Sequence, residues 1–438
     1  MENQGIRDAR TLGMPKMLIL GLQHMFAMFG ATVLVPALTG LSVSATLLFA
    51  GLGTLLFHFL AKGKVPAFLG SSFAYLAGYA AIAPNGEAAL LPYACVGVAC
   101  SGLLYLVLAA LVKSFGTNRV MRFFPPIVTG PIIICIGMTL ANSAINNCNG
   151  NWGIALIAIV TVVVFNIWGK GMFKIIPILM GVLVSYAVAA VFGQVDFSGV
   201  ASAAWIGLPV KMENTVFSSI GNCDSGLLIT AIIAIMPIAL ATMIEHIGDI
   251  CAISSTVGEN FIEDPGLHRT LMGDGIATAL ASLFGAPANT TYGENTGVLA
   301  LTKVYDPRVV RIAAVFAIVA SFCPKFSALV SAMPTGTIGG VSLILYGMIS
   351  AIGVRNLVEN HVDLSKSRNV IVASLIMSLA LGVTFSAAGA VKLTVGTLTL
   401  SFSGLAVAAI VGIAVNAILP DNDFVFSSEY KHGKPKRH

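Results

Sequence analysis

Apolar runs of about 20 residues follow one another from residue 14 to residue 419, separated by short polar stretches. A hydrocarbon core of about 30 Å takes roughly that length per helical crossing, and the runs are continuous instead of alternating as in an outer-membrane barrel. The pattern predicts an all-α integral membrane protein with fourteen transmembrane spans, at about 14–38, 43–61, 65–84, 88–112, 121–142, 152–169, 174–193, 226–254, 268–285, 287–302, 309–332, 335–354, 369–388 and 397–419. Spans 3 and 10 stand apart. Each opens on Gly, Pro and small hydroxylated residues (Pro66 and Gly70-Ser71-Ser72; Pro287 and Asn289-Thr290-Thr291), followed by a short apolar stretch. They read as short extended segments leading into half-helices, with free backbone N–H groups near Phe73 and Gly293 at the bilayer midplane. The alternative is that the small residues only allow close helix packing.

Composition agrees with this reading. Hydrophobic residues make up 57% of the 438 positions and charged residues 10%, and the mean hydropathy is +0.90, far from the range of soluble domains. Lys and Arg test the span count, because cytoplasmic loops carry their excess. With the N-terminus inside, all of the 24 basic residues except Lys211, Lys325 and Lys392 fall at or near the cytoplasmic face, the group Lys431, Lys434, Lys436 and Arg437 among them. Moving one span in or out would scramble every later loop, so both termini are expected in the cytoplasm. The net charge of +5 follows from that asymmetry; no basic patch points to nucleic acid. Span 1 is too long for a signal-peptide core and is expected to be retained. Most of the seven cysteines lie within spans, as packing residues; Cys148 and Cys223 fall in predicted external loops, and whether they pair is left open. No spacing suggests a metal or cofactor, and no nucleophile–base pairing suggests an enzyme.

No soluble insertion interrupts the chain, so residues 1–438 form one membrane domain. Its halves echo each other. Leu22-Gln23-His24 corresponds to Ile244-Glu245-His246, Ser71-Ser72-Phe73-Ala74 to Thr290-Thr291-Tyr292-Gly293, and Gly130 and Gly137-Met138 to Gly340 and Gly347-Met348. Repeat one then covers about 14–193 and repeat two about 226–419, seven spans each. An odd number of spans makes the second copy enter from the opposite face, giving two inverted repeats.

Four acids lie inside the predicted spans, Glu245, Asp249, Asp274 and Glu294, with no Lys or Arg at mid-span to meet them. Such groups are expensive in lipid and mark function. Glu245 and Asp249, four apart, share a helix face. Glu245 reads as a substrate contact, since its repeat mate is the polar Gln23. Asp249 is either a second acid or makes a structural bond to a neighbouring Ser or backbone group. His24 either bonds a carbonyl or reaches an acid; His58 and His246 are given no role, and Asp274 is read as a helix cap or brace. Carboxylates that accept N–H groups, free amides that donate to carbonyls, and Phe73 and Tyr292 as walls suit a flat ring with alternating N–H and C=O groups. An anion has nothing basic to receive it. A proton is the natural coupling ion; sodium is possible, but nothing demands it.

The stretch Glu294-Asn295-Thr296-Gly297-Val298-Leu299-Ala300-Leu301-Thr302-Lys303, together with Gln23-His24, Gly70 through Ala74 and Phe124-Pro125-Pro126, resembles the signatures of the nucleobase-ascorbate transporter family. The resemblance implies a core domain from spans 1–4 and 8–11 and a gate domain from spans 5–7 and 12–14, with substrate between spans 3, 8 and 10. Glu245 and Glu294 would bind the base, backbone groups of Phe73 and Gly293 would contact its carbonyls, and Ala31 and Tyr292 would line the pocket. Glu at position 294 resembles the uracil branch, where the purine branch usually has Gln. Asp249 departs from the uracil permease pattern, which has His there, so Glu245, Asp249, Glu294 and His24 all stand as proton-coupling candidates. The expected function is proton-coupled uracil uptake by alternating access, with a xanthine or urate symporter as the alternative and a passive facilitator or channel behind it. A homodimer is a possible assembly.

Overall fold

The computed structural model describes residues 5–219, 223–395 and 398–420, so the group Lys431 to Arg437 lies outside the described residues. Helices α1 (Met14–Thr39) and α2 (Val43–Leu60) lead to strand β1 (Leu69–Ser71), and then to α3 (Leu76–Ile82), α4 (Leu91–Phe115), α5 (Thr117–Met121), α6 (Pro126–Cys148), α7 (Trp152–Trp168), α8 (Met172–Ile175) and α9 (Pro177–Val191). After α10 (Ser198–Ser202) come α11 (Ser225–Ile235), α12 (Ala239–Val257), α13 (Leu267–Leu283), strand β2 (Asn289–Thr291) and α14 (Gly293–Thr302). The chain continues through α15 (Pro307–Ser321), α16 (Pro324–Ser331), α17 (Thr335–Glu359), α18 (Ser367–Thr384), the strands β3 (Ala390–Val395) and β4 (Leu398–Ser403), and α19 (Gly404–Ile418). Polar caps start several of these helices: Ser42, Asn151 and Ser403 accept from the amide three residues on.

Among the described residues seven helical segments are long and apolar enough to cross a membrane, α1, α2, α4, α6, α17, α18 and the joined run Ser225–Val257 of α11 with α12, or eight if the bent pair α15–α16 is one span, and α7, α9 and α19 are shorter apolar helices. The fold is thus mostly helical and of membrane type. Several expected elements differ in detail. The eighth apolar run is not one helix: Pro237 sits in a 3-10 turn, Met236–Ile238, between α11 and α12, because proline has no N–H to continue the ladder. The eleventh bends by 87° between Ser321 and Pro324, where Cys323 is extended, as the residue before a proline tends to be. The fourteenth begins as a strand. Leu398, Leu400 and Phe402 alternate with Thr399, Ser401 and Ser403, and Val391, Leu393 and Val395 with Lys392 and Thr394. That period of two pairs β3 with β4 as an antiparallel hairpin, so the architecture is not all-α. In span 3 the helix starts at Leu76, three residues beyond the expected Phe73, which lies in a turn closed by Leu76 N–H on Phe73 O at 3.1 Å. Cys148 is buried, Cys223 is exposed, and both are free thiols.

The helices pack in two groups. In one, α13 lies against α4 and α2, α15 against α2 and α1, and α11 against α4; in the other, α6 lies against α17 and α18, α7 against α9 and α17, and α18 against α19. Glycines set the approach in both. A Cβ on Gly102 would fall 2.5 Å from Gly275 O, and one on Gly353 would fall 2.7 Å from Gly130 O. Of the glycines that echo between the halves, Gly130, Gly137 and Gly340 lie in these seams, whereas Gly347 has open space around it. Gly137 would drive a Cβ into Tyr346 O, and Gly340 would drive one into Ala155 O, which is how packing proceeds where lipid offers no hydrophobic drive. Polar side chains anchor the strands: Thr54 Oγ1 accepts from Leu69 N–H at 2.9 Å, Thr278 Oγ1 donates to Asn289 O at 2.9 Å, and Asn289 Nδ2 donates to Phe49 O at 3.1 Å. His58 has a partner too, its Nε2 lying 2.8 Å from Ala67 O. Gly137→Leu is expected to lower the thermal midpoint of the detergent-purified protein by several degrees, whereas Gly382→Ala, with open space around it, leaves it unchanged; thermal melts of the two variants check this.

Candidate functional site

β1 and β2, one from each half of the chain, pair antiparallel in the register Leu69↔Thr291, Gly70↔Thr290 and Ser71↔Asn289. Gly70 is required there, since a Cβ would strike the Tyr292 ring at 2.5 Å and Thr32 Oγ1 at 2.7 Å. The ladder runs one step further at each end. Ser72 N–H donates to Ala288 O at 2.8 Å and Tyr292 N–H to Phe68 O at 3.1 Å. The next amides, of Phe73 and Gly293, have no acceptor among the described residues. Both residues line a cavity of about 1510 Å³. The pair is braced from behind: Tyr292 Oη donates to Ser71 O at 2.8 Å, and Ser71 Oγ to Thr32 O at 2.7 Å.

Of the acids that line the same cavity, three stand on α12 and α14 beside the ladder. Glu294 sits in the first turn of α14, where the helix dipole and free amides favour an acid. Glu245 and Asp249 lie a turn apart on α12 and both face the cavity. Asp249 Oδ2 accepts from Thr291 Oγ1 at 2.7 Å, a threonine in place of the expected serine or backbone partner, and Asp249 also lines the cavity with Glu294. No Lys or Arg forms an ion pair with these acids among the described residues. The opposite wall comes from the second helix group, including Ile133 of α6 and Leu345 and Met348 of α17. Tyr346 sets its ring edge-on to Phe73 at 5.7 Å. The cavity extends to Asn260, Asp363, Lys366 and Arg368. Such a space suits a neutral ring that donates N–H groups to carboxylates and accepts from amides; an anion would meet three acids.

Two expected site residues lie elsewhere. Ala31 is buried at 1% exposure and is not among the cavity-lining residues. His24 does not reach an acid. Asn295 Nδ2 donates to His24 O at 3.0 Å and lies 3.1 Å from His24 Nδ1; an amide nitrogen held by a carbonyl offers the ring its second hydrogen, so Nδ1 accepts. That contact ties α1 to α14. Sequence reading also missed a pair of fully buried residues: His246 Nδ1 stands 2.9 Å from Asp274 Oδ2, bracing α12 to α13. An acid and a histidine in neighbouring apolar spans were the available signal, but spans 8 and 9 alone do not say which faces meet. No group of residues suited to a metal ion occurs among the described residues.

The family model described as a permease family, Xan_ur_permease, matches residues 15–389. The chain is 41% identical over 426 residues to the uracil permease of Bacillus caldolyticus, covering 95% of this chain and 94% of that protein. It is 38% identical over 410 residues to the uracil permease of Escherichia coli strain K12, covering 91% and 90%. Among solved structures, the transmembrane domain of the cyanobacterium bicarbonate transporter BicA matches with a TM-score of 0.62 at 15% identity, over 94% of this chain and 99% of that chain. SLC26A9 matches at 0.61 and 12% identity, over 92% and 64%. Those two speak for the fold alone. The relatives are named permeases, so the chain is a membrane transporter and not an enzyme. With a family model over most of its length and relatives at 38% and 41% identity, it belongs to the Xan_ur_permease family of permeases, the nucleobase-ascorbate transporters.

Proposed function

We propose that this protein is a proton-coupled uracil transporter of a bacterial inner membrane, working by alternating access. The observation that carries the reading is the pair of unbonded amides, Phe73 and Gly293, at the two ends of one short ladder, facing the same cavity as Glu245 and Glu294. Uracil is a flat ring with two N–H and two C=O groups. The carboxylates accept its N–H groups, the amides donate to its carbonyls, and Phe73 and Tyr292 supply apolar walls. The relatives named uracil permeases support this choice of base.

Three acids without a basic partner make a proton the coupling ion, since neutralising a carboxylate lets the loaded site cross without net buried charge. Glu245, Asp249 and Glu294 are its carriers; His24, held by Asn295 away from the cavity, is the weakest of the four candidates. The two helix groups correspond to a core domain carrying the strands and acids and a gate domain carrying α6 and α17. Antiparallel pairing of β1 with β2 is what two inverted repeats of seven spans would produce. The fourteen crossings are then completed by α13 and by the two segments made of a strand and a half-helix. If the charge pattern puts both termini in the cytoplasm, the cavity mouth at Lys366 and Arg368 faces inward. On the other side β4 rests on α11.

Three outcomes test the reading. Glu294→Gln is expected to raise the uracil Kd on the order of tenfold to a hundredfold, since the amide turns a donor toward an N–H that the carboxylate accepted; calorimetry on purified protein measures it, and an unchanged Kd removes Glu294 from the site. Gly293 is the first residue of α14, where proline keeps a helix but has no N–H. Gly293→Ala should therefore hold the Kd within about threefold and Gly293→Pro should raise it by about tenfold. In cells lacking their own permeases, uptake of radiolabelled uracil should collapse with a protonophore and resist excess xanthine. Block by xanthine alone would make the protein a purine symporter, and indifference to the protonophore would make it a passive facilitator.

A further inference from the structure

The segment ahead of α1 ties together the far ends of the two helices that carry the acids. Ile6 forms a parallel bridge with Val304; its N–H donates to Lys303 O at 2.7 Å, and its carbonyl accepts from Tyr305 N–H at 2.8 Å. Lys303 is the left-handed residue that ends α14. The next residue reaches the other helix. Arg7 donates from Nη2 to Val257 O at 3.1 Å and forms an ion pair with Glu259, and Val257 is the last residue of α12. Adjacent residues of one strap thus serve unpaired carbonyls at the C-terminal ends of both site helices.

The strap is itself pinned. Ala9 N–H donates to Asp306 Oδ2 at 2.7 Å, and Arg308 Nη1 lies 3.0 Å from Asp8 Oδ1 and 3.1 Å from Asp306 Oδ2. Hydrogen bonding from Arg10, helped by the charges of Arg10 and Arg308, holds the Asp8 carboxyl well below the usual carboxylate range, so this network keeps its charge. Gly5 lets the strap lie this close, because a Cβ there would fall 2.9 Å from Lys303 O and inside the Tyr305 ring. None of residues 5–12 lines the cavity.

We infer that Arg7 is a positioning residue for the binding site: by capping the end of α12 from a strap bonded to the end of α14, it sets the separation of Glu245 and Glu294. The lever is long. From Val257 to Glu245 the axial rise is roughly 18 Å at about 1.5 Å per residue, so a tilt of about 5° at the capped end moves the carboxylate by roughly 1.5 Å. Displacements of that size defeat a two-point hydrogen-bonded site. The inference rests on the reading of those two acids as the acceptors of the base.

The test compares full-length wild type, Arg7→Ala and Arg7→Lys, purified and reconstituted, by uracil calorimetry, transport kinetics and amide hydrogen exchange. Arg7→Ala should raise Kd and KM together by roughly three- to tenfold with little change in Vmax, and Arg7→Lys should recover part of the loss. Amides near 254–259 and 298–303 should exchange faster in Arg7→Ala without ligand, while those of α6 and α17 stay as in wild type. Unchanged Kd and KM in a protein that binds uracil would overturn the inference, as would a fall in Vmax alone. If the wild type binds no uracil, the functional reading fails, and the exchange data still decide whether the strap holds the two helix ends.

Discussion

Extended backbone has no place in a bilayer unless its N–H and C=O groups find partners, and here each extended segment finds the other. The β1–β2 ladder is three residue pairs long, yet the rest of the site hangs on it. It precedes the short helices α3 and α14, and it ends one residue short of Phe73 on one side and Gly293 on the other. Those two amides are left unpaired at the places where the helices have not yet begun to consume donors. Three helices hold the ladder in register, α1 through the Thr32 carbonyl, α2 through the Thr54 hydroxyl and the Phe49 carbonyl, and α13 through the Thr278 hydroxyl, so the cost of non-helical backbone is met by hydrogen bonds instead of by water.

Around that ladder the acids are arranged without basic partners. Glu294 gains from the start of α14 and Asp249 from the Thr291 hydroxyl, while the apolar wall from α6 and α17 closes the other side. In the proposed reading, the acids beside the ladder disfavour an anion there, and a neutral ring is held where its N–H groups meet carboxylates and its carbonyls meet amides. The seam between the two helix groups runs through the same place. Phe73, from the strand-bearing group, stands edge-on against Tyr346 of the other, so the cavity lies between the two groups.

The apolar runs, the breaks in spans 3 and 10, and the two glutamates were legible from residue order, because lipid imposes a length and a hydropathy on every crossing and tolerates few acids. Glycines matched between the halves likewise pointed to the packed seams where Gly137 and Gly340 lie. Other features were hidden by the same apolar character. The strand β4 read as the start of a helix, since six residues alternating Leu or Phe with Thr or Ser remain hydropathic on average. Pro237 and Pro324 were visible, but whether a proline kinks a span or ends it depends on what packs against the break.

Residue order by itself determined that this chain lives in a membrane, that it belongs with the nucleobase transporters, and that Glu245 and Glu294 need a reason to be there. Only tertiary structure decided which groups face one another: Asp249 with Thr291, His246 with Asp274, His24 with Asn295, and Arg7 with the end of α12. The physical reason is that a helix in lipid is apolar on nearly every face, so periodicity does not say which face is turned to a neighbour. Pairings of polar groups across spans are set by helix rotation and register, and those emerge only when the packed helices are in place.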